Sequence, residues 1–206
     1  TAHQLGAQHS ARLARMFMST SGLRVVTPRG PLDAYGMLKS AVRCNDPVII
    51  IEHERMYNLK EDIPDEEFFR PLEGAEVVRE GEDITLIGYN FSVHLCLEAA
   101  KRLESDGVSA EVIDLRSLKP IDRETIRRSV EKTHRALIAE EDEAPVGVGA
   151  EIITGIMEDC FFALDSQPVR IHAADVPVPY NHKLEKEAIP DVEDVYQGAL
   201  KVLGKI

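Results

Sequence analysis

The sequence predicts an α/β protein in two parts, each built around a mostly parallel sheet. Three observations predict it. Helix-period segments alternate with strand-like ones along most of the chain, the pattern of βαβ units rather than of a sandwich or a bundle. The run Val48-Ile-Ile-Ile51 shows no polar alternation, as expected of a strand covered on both faces. Between residues 53 and 74 that regularity gives way to acids, Pro64, Pro71 and aromatics, the composition of a linker partly packed through Phe68 and Phe69. The division is therefore 1–52, a linker at 53–74, and 75–206.

In the first part, Ser10 stands where it would cap a short helix reaching Met18, with Leu13, Met16 and Phe17 on one face. Gly22 ends that helix, and residues 23–27 read as a strand stopped by Pro28. Asp33 is placed to cap a second helix whose apolar stripe is Ala34, Met37, Leu38, Ala41 and Val42. The turn Asn45-Asp-Pro47 leads into the 48–51 strand. In the second part, strands at 83–89, 108–115, 136–139 and 169–172 alternate with helices at 92–105, 122–133 and 150–164. Val93, Cys96, Leu97, Ala100 and Leu103 form the buried face of the first of these, and Ile126 and Val130 point inward from the next. Asp191 caps a last helix with the cleanest stripe in the chain: Val192, Val195, Tyr196, Ala199, Leu200 and Leu203.

Composition narrows the classes of function. With 44% hydrophobic and 29% charged residues in 206, the chain can bury a core and is not a disordered segment. Its apolar runs are too short to span a bilayer, and residues 1–21 lack the basic start and apolar centre of a secretory signal. A net charge of −12 argues against a nucleic-acid partner. Cys44, Cys96 and Cys160 are too few and too scattered for a disulfide framework, and read as reduced, largely buried thiols of a cytoplasmic protein.

Local motifs are sparse. No Walker loop, G-x-G-x-x-G, G-x-S-x-G or H-E-x-x-H is present. Gly147-Val-Gly149 before a helix is a weak anion-binding signal, and close packing at a helix start explains it better. Glu140-Glu-Asp-Glu143 after a strand reads first as solvated loop surface and only second as a hard-cation site. His94 and His134 lie on or at the end of helices, where the dipole accounts for them. His53 and Glu54 follow a strand at its C-terminal end, a common place for site residues. On spacing alone His9 is equally an exposed loop histidine or a site residue.

Several segments taken together carry a resemblance. They are Ala7-Gln-His-Ser10, Gly22-Leu-Arg-Val-Val-Thr-Pro28, Asp33-Ala34, Asn45-Asp-Pro-Val48 with Glu52, and Glu111-Val-Ile-Asp-Leu-Arg-Ser-Leu-Lys-Pro120. Gly147-Val-Gly-Ala-Glu151, Ala174-Asp-Val-Pro-Val-Pro-Tyr180, Leu184-Glu185 and Ile189-Pro-Asp191 follow. In that order the chain resembles the beta subunit of the thiamine-diphosphate-dependent, decarboxylating component of 2-oxo acid dehydrogenase complexes, within the transketolase-like superfamily. The D-V-P-V-P-Y segment suits this branch better than other transketolase-like enzymes.

The resemblance implies the C-terminal part of a thiamine-diphosphate pyrimidine-binding domain, then a transketolase C-terminal-like, three-layer αβα domain with a mostly parallel sheet. It implies oxidative decarboxylation of a 2-oxo acid, pyruvate first among them, with reductive acylation of lipoyl groups. His9 matches the family histidine that lines the channel to the cofactor, and a histidine suits proton exchange at neutral pH. Thiamine diphosphate with magnesium is expected mainly on an alpha subunit, in a heterotetramer of two alpha and two beta chains. A potassium ion is expected on main-chain carbonyls at Ala41, Val42, Cys44 and Asp46. The family's N-terminal third, with the glutamate that activates the cofactor, has no counterpart in these residues, so this chain alone is expected to be inactive. Partners are the alpha subunit, a second beta subunit and a lipoyl acyltransferase core, in the bacterial-type cytoplasm or the mitochondrial matrix. The competing expectation is a non-catalytic assembly module that docks to an alpha subunit or an acyltransferase core. The acidic charge fits a basic docking domain as well as it fits simple solubility.

Overall fold

The computed structural model of the chain describes residues 3–206. The first part contains α1 (Ala14–Met18), β1 (Arg24–Val26), α2 (Pro31–Arg43) and β2 (Val48–Ile50). The second contains β3 (Glu76–Arg79), β4 (Ile84–Gly88), α3 (Ser92–Ser105), β5 (Ala110–Asp114), β6 (Ser117–Lys119) and α4 (Arg123–Thr133). It continues with β7 (Ala136–Glu143), α5 (Val148–Cys160), β8 (Val169–Ala173), α6 (His182–Ala188) and α7 (Val192–Val202).

Five strands form the larger sheet in the order β3-β5-β4-β7-β8, parallel throughout except for the antiparallel edge strand β3. Every residue of β4 and β5 is buried, because helices cover both faces of the sheet. The period-2 alternation of strands sends neighbouring side chains to different cores. Ile84, Leu86, Val112 and Leu137 pack with α3 and α7, whereas Ile87, Ile113 and Ile138 pack with α4 and α5. Gly198 lets α7 lie close on this sheet: a Cβ there would come within 2.9 Å of Leu137. The α7 N-terminus is closed by a capping box, with Asp191 accepting from the N–H groups of Glu193 and Asp194 while Asp194 accepts from that of Asp191.

The smaller sheet has the order β2-β1-β6. β1 and β2 run parallel in the register Arg24↔Val48, while β6, from the second part of the sequence, joins β1 antiparallel. One sheet is thus built from segments about ninety residues apart, and Val25 of β1 shares a hydrophobic cluster with Ile87, Ile113 and Ile138.

The structure corrects several local expectations. α1 begins at Ala14 behind Leu13, not at Ser10, which is buried. Asp33 does not cap α2: Gly30 precedes the helix, Pro31 opens it, and Asp33 is buried against Arg70 Nε at 2.7 Å. Leu38 and Val42 are 55% and 76% exposed, since Gly36 and Met37 face inward instead. β3 and α6 were not anticipated. Their apolar positions are few, and pairing with β5 makes the first of them a strand. His94 is held by its Nε2–H donating to the Arg29 carbonyl at 2.8 Å rather than by a helix dipole.

Candidate active site

The C-terminal ends of β2, β4 and β7 converge where the two sheets meet, the usual place for a ligand in a parallel sheet. A cavity of about 240 Å³ opens there. Its walls are the residues after β2 (Ile51 to Glu54, with Tyr57), those after β4 (Tyr89 to Ser92), Glu141 and Asp142 of β7, and the segment from His9 to Ala14. Asn90 ties two of these walls together. In a left-handed conformation (φ 55°), it donates from Nδ2 to the Ile51 carbonyl at 2.7 Å.

His53 lies stacked on Phe91, with ring centroids 5.1 Å apart. Its Nδ1 accepts the Arg55 backbone N–H at 3.2 Å, which assigns the ring proton to Nε2, and Nε2 donates to Glu141 Oε2 at 3.0 Å. The pair joins one sheet to the other across the cavity.

The acidic run 140–143 is not solvated loop. It is the end of β7, with Glu140 fully buried and Asp142 2% exposed. The pairing of β7 with β8 shifts register between Ala139 and Glu143, and this irregularity re-aims the side chains. Glu140 accepts the Gly149 N–H at 3.0 Å, the Tyr89 hydroxyl at 3.3 Å and the Arg170 guanidinium. Burial raises its carboxyl above the ordinary value even though Gly149 and Arg170 pull the other way. The glycine-rich start of α5 therefore holds an anion after all, and the anion is the chain's own. Burial likewise raises Asp142 against the pull of Arg15, and raises the buried Tyr89 phenol, an effect that Asp142 and Glu140 reinforce. Glu143 goes the other way: burial pushes it up, but its own backbone N–H, Arg12 and Arg15 outweigh that. Among the described residues no group of three or more His, Cys, Asp or Glu side chains could hold a metal ion.

His9 ends a one-turn 3₁₀ helix, Ala7–His9, exposed on the cavity wall. Ala41, Val42, Cys44 and Asp46 gather in the turn from α2 to β2, outside the cavity. The Ala41 carbonyl accepts the Cys44 N–H at 3.1 Å, Cys44 Sγ accepts the Asp46 N–H at 3.4 Å, and the Asp46 carboxylate pairs with Arg24 at 2.7 Å. The sequence had pointed to His9 and His53. It missed Arg12, Arg15 and Tyr89, whose one visible signal was the unexplained row of acids that receives them.

A larger cavity, about 630 Å³, lies elsewhere among the described residues, between α4 and α5 under β6. Its lining has no histidine and no acid from the end of a parallel strand, so the smaller cavity is the better candidate.

Comparison with known proteins adds to this geometry. Residues 73–195 match the transketolase C-terminal domain, and residues 1–60 match the transketolase pyrimidine-binding domain. The chain is 48% identical over 186 residues to a pyruvate dehydrogenase E1 component subunit beta of Porphyra purpurea, covering 90% of this chain and 56% of that protein. It is 43% identical over 199 residues to the mitochondrial counterpart of Pisum sativum, covering 95% and 55%. It spans a little over half the length of these curated relatives. Among solved structures it is similar to a split-gene transketolase, an inactive beta4 tetramer, at a TM-score of 0.78 and 27% identity over 96% of this chain and 63% of that one. A transketolase mutant of Pichia stipitis shares the fold alone, with a TM-score of 0.64, 16% identity, and coverage of 97% and 28%.

Proposed function

The chain belongs to the transketolase C-terminal domain family, with part of the transketolase pyrimidine-binding domain ahead of it, and from that premise we propose that it works as part of the beta subunit of a 2-oxo acid dehydrogenase decarboxylating component. Pyruvate is the 2-oxo acid proposed, because the relatives at 43–48% identity are pyruvate dehydrogenase E1 beta subunits. The observation that carries the reading is the position of His9. The histidine of Ala7-Gln-His-Ser10 stands exposed at a cavity where three parallel strands end.

Thiamine diphosphate, when bound, supplies the nucleophilic carbon and the electron sink for decarboxylation. The described residues offer its diphosphate and magnesium no seat: they hold no metal-binding cluster, and the N–H of Gly149 is taken by Glu140. That end of the cofactor belongs on the alpha subunit in this proposal. What this chain supplies is a wall. His9 holds or gives up a proton at its imidazole toward substrate and incoming lipoyl group. His53 and Glu141 close the wall behind it by joining the two sheets. Main-chain carbonyls at Ala41, Val42, Cys44 and Asp46 are the proposed potassium seat, where an ion would stiffen the turn from α2 to β2. A second beta subunit and a lipoyl acyltransferase core complete the assembly, in the cytoplasm or the mitochondrial matrix.

In the assembled enzyme, His9→Ala is expected to lower lipoyl acylation by a factor of about 10²–10⁴, the usual contribution of a positioned acid–base group. Acylation at the parent rate would overturn the assignment. A second reading, a binding module without catalysis, draws on Phe161 and Phe162, which are 55% and 99% exposed. Titrating the chain with an alpha subunit, thiamine diphosphate and a 2-oxo acid separates the two, because the binding module gives complex formation without cofactor-dependent decarboxylation.

A further inference from the structure

We propose that Glu143 is the positioning residue of His9. It holds the histidine's segment against the cavity by clamping Arg12 and Arg15 with its two carboxylate oxygens. The proposal rests on the reading of His9 given above and goes beyond it.

His9 has little to fix it in place locally. The 3₁₀ turn Ala7–His9 buries none of its residues. Upstream, the Gln4 N–H donates to both carboxylate oxygens of Glu185, at 3.1 and 3.2 Å. Downstream, Ser10 is buried but its hydroxyl has no hydrogen-bond partner among the described residues, and the next polar tether is Arg12, three residues after His9 and on the wall of the same cavity. Arg12 Nη1 donates to Glu143 Oε1 at 2.6 Å, and Arg15 Nη1 lies 2.8 Å from Oε2 as a charge contact outside hydrogen-bond geometry. Arg15 Nη1 also donates to the Glu143 carbonyl at 3.4 Å.

Burial makes this clamp more than a surface contact. The Arg12 side chain is 5% exposed and that of Glu143 17%, whereas exposed ion pairs hold little. Arg12 Nε and Nη2 are buried without a hydrogen-bond partner, so Glu143 is the acid that balances this guanidinium among the described residues. Removing one partner of a buried ion pair leaves an uncompensated charge, which strongly favours any rearrangement that returns that charge to water. If Glu143 is neutralised, Arg12 has reason to leave the seam, and the segment between Gln4 and Arg12 goes with it. The charged form of Glu143 is favoured, as its lowered carboxyl indicates, so the clamp persists through neutral pH. Glu141, two residues earlier on β7, holds His53 at 3.0 Å. One strand end thereby locates both histidines of the cavity.

The test is Glu143→Gln in the full chain, read first by the histidine ring resonances in NMR. The His9 ring signals are expected to shift and broaden. Those of His134, held by the Ala163 carbonyl at 2.8 Å on the far side of the molecule, stay in place and report an intact fold. In an Arg12→Gln, Arg15→Gln background, Glu143→Gln is expected to add nothing to the His9 change. Glu143→Asp keeps the charge on a shorter stem, and is expected to move the same His9 signals less; it also serves if the glutamine variant folds poorly. In the assembled enzyme, turnover of the 2-oxo acid falls about tenfold in Glu143→Gln with KM nearly unchanged, because a mispositioned group costs rate rather than substrate binding. Unmoved His9 signals in both Glu143 variants overturn the clamp. Moved signals with full turnover uphold the clamp and overturn the catalytic reading of His9 instead.

Discussion

Asp114 closes β5 with a fully buried carboxyl, and its ionisation sets a measurable pH dependence of stability. Arg29 Nε, from the loop between β1 and α2, donates to Oδ2 at 3.1 Å, and the Arg116 N–H donates to Oδ1 at 3.1 Å. Burial raises this carboxyl from 3.8 to about 7; Arg29 and the Arg116 N–H pull it down, and Asp33 pushes it further up. Between pH 4 and 7 the folded chain therefore keeps a proton that the unfolded chain has released. Stability contributed by the neutral carboxyl is complete below the unfolded value, falls as pH rises through this window, and levels off above about 7. Three pH units at 1.36 kcal/mol each make the loss about 4 kcal/mol as an upper figure. Asp114→Asn cannot ionise. It is expected to match the parent near pH 4 and to exceed it by as much as about 4 kcal/mol at pH 8. Urea unfolding followed by circular dichroism from pH 4.5 to 8.5 gives the difference curve, in which groups distant from Asp114 cancel. A flat difference across that range would refute the reasoning, because it would mean that Asp114 ionises alike in both states.

Two further outcomes test the packing. A Cβ added at Gly81 would fall on the backbone of Ala110 and Glu111, which cannot give way as a side-chain tip can. Gly81→Ala is expected to cost about 2 kcal/mol, seen as a drop in Tm of roughly 6 °C, and an unchanged Tm would show that β3 shifts freely. Asp191→Ala removes the capping box of α7 and is expected to cost about 1 kcal/mol in urea unfolding, with Asp191→Ser recovering most of it. Equal losses for both variants would mean that the cap is not what the carboxylate contributes.

What could be read in advance followed burial. β4, β5 and the first half of β7 were visible because strands covered on both faces are mostly apolar, with Thr85, Glu111 and Asp114 as buried polar exceptions. α3 and α7 were visible because each lays one stripe on the sheet. α2 was half legible: its period was right, but its inner face is Gly36, Met37 and the ion-paired Asp33, so apolarity alone pointed to the wrong side. β6 was not legible at all. It is three residues long, and it is a strand because β1, ninety residues earlier, lies beside it. The motif around His9 pointed to one residue that lines the cavity. The partners that build the rest of the cavity are 88 residues away for His53 and Glu141, and 131 for Arg12 and Glu143, distances at which local pattern is silent.

The acids of β7 show why the seam hid from pattern reading. Four successive acidic residues break the apolar rhythm that marks a buried strand, so the strand seemed to end at Ala139. It continues because every acid meets a specific counterpart: Arg170 and the Gly149 N–H for Glu140, His53 for Glu141, Arg15 near Asp142, and Arg12 with Arg15 for Glu143. A buried carboxylate costs several kcal/mol unless it is paired, so these residues can be inside only in a chain that brings all the counterparts to one place. Glu140 finds its partners within its own sheet and α5. Glu141 and Glu143 find theirs in the segments that carry His53 and His9. The local irregularity against β8 supports that division by turning the strand end out of the regular ladder. The strand that completes the larger core thus also places both cavity histidines, and the two parts of the chain hold a site that neither part contains alone.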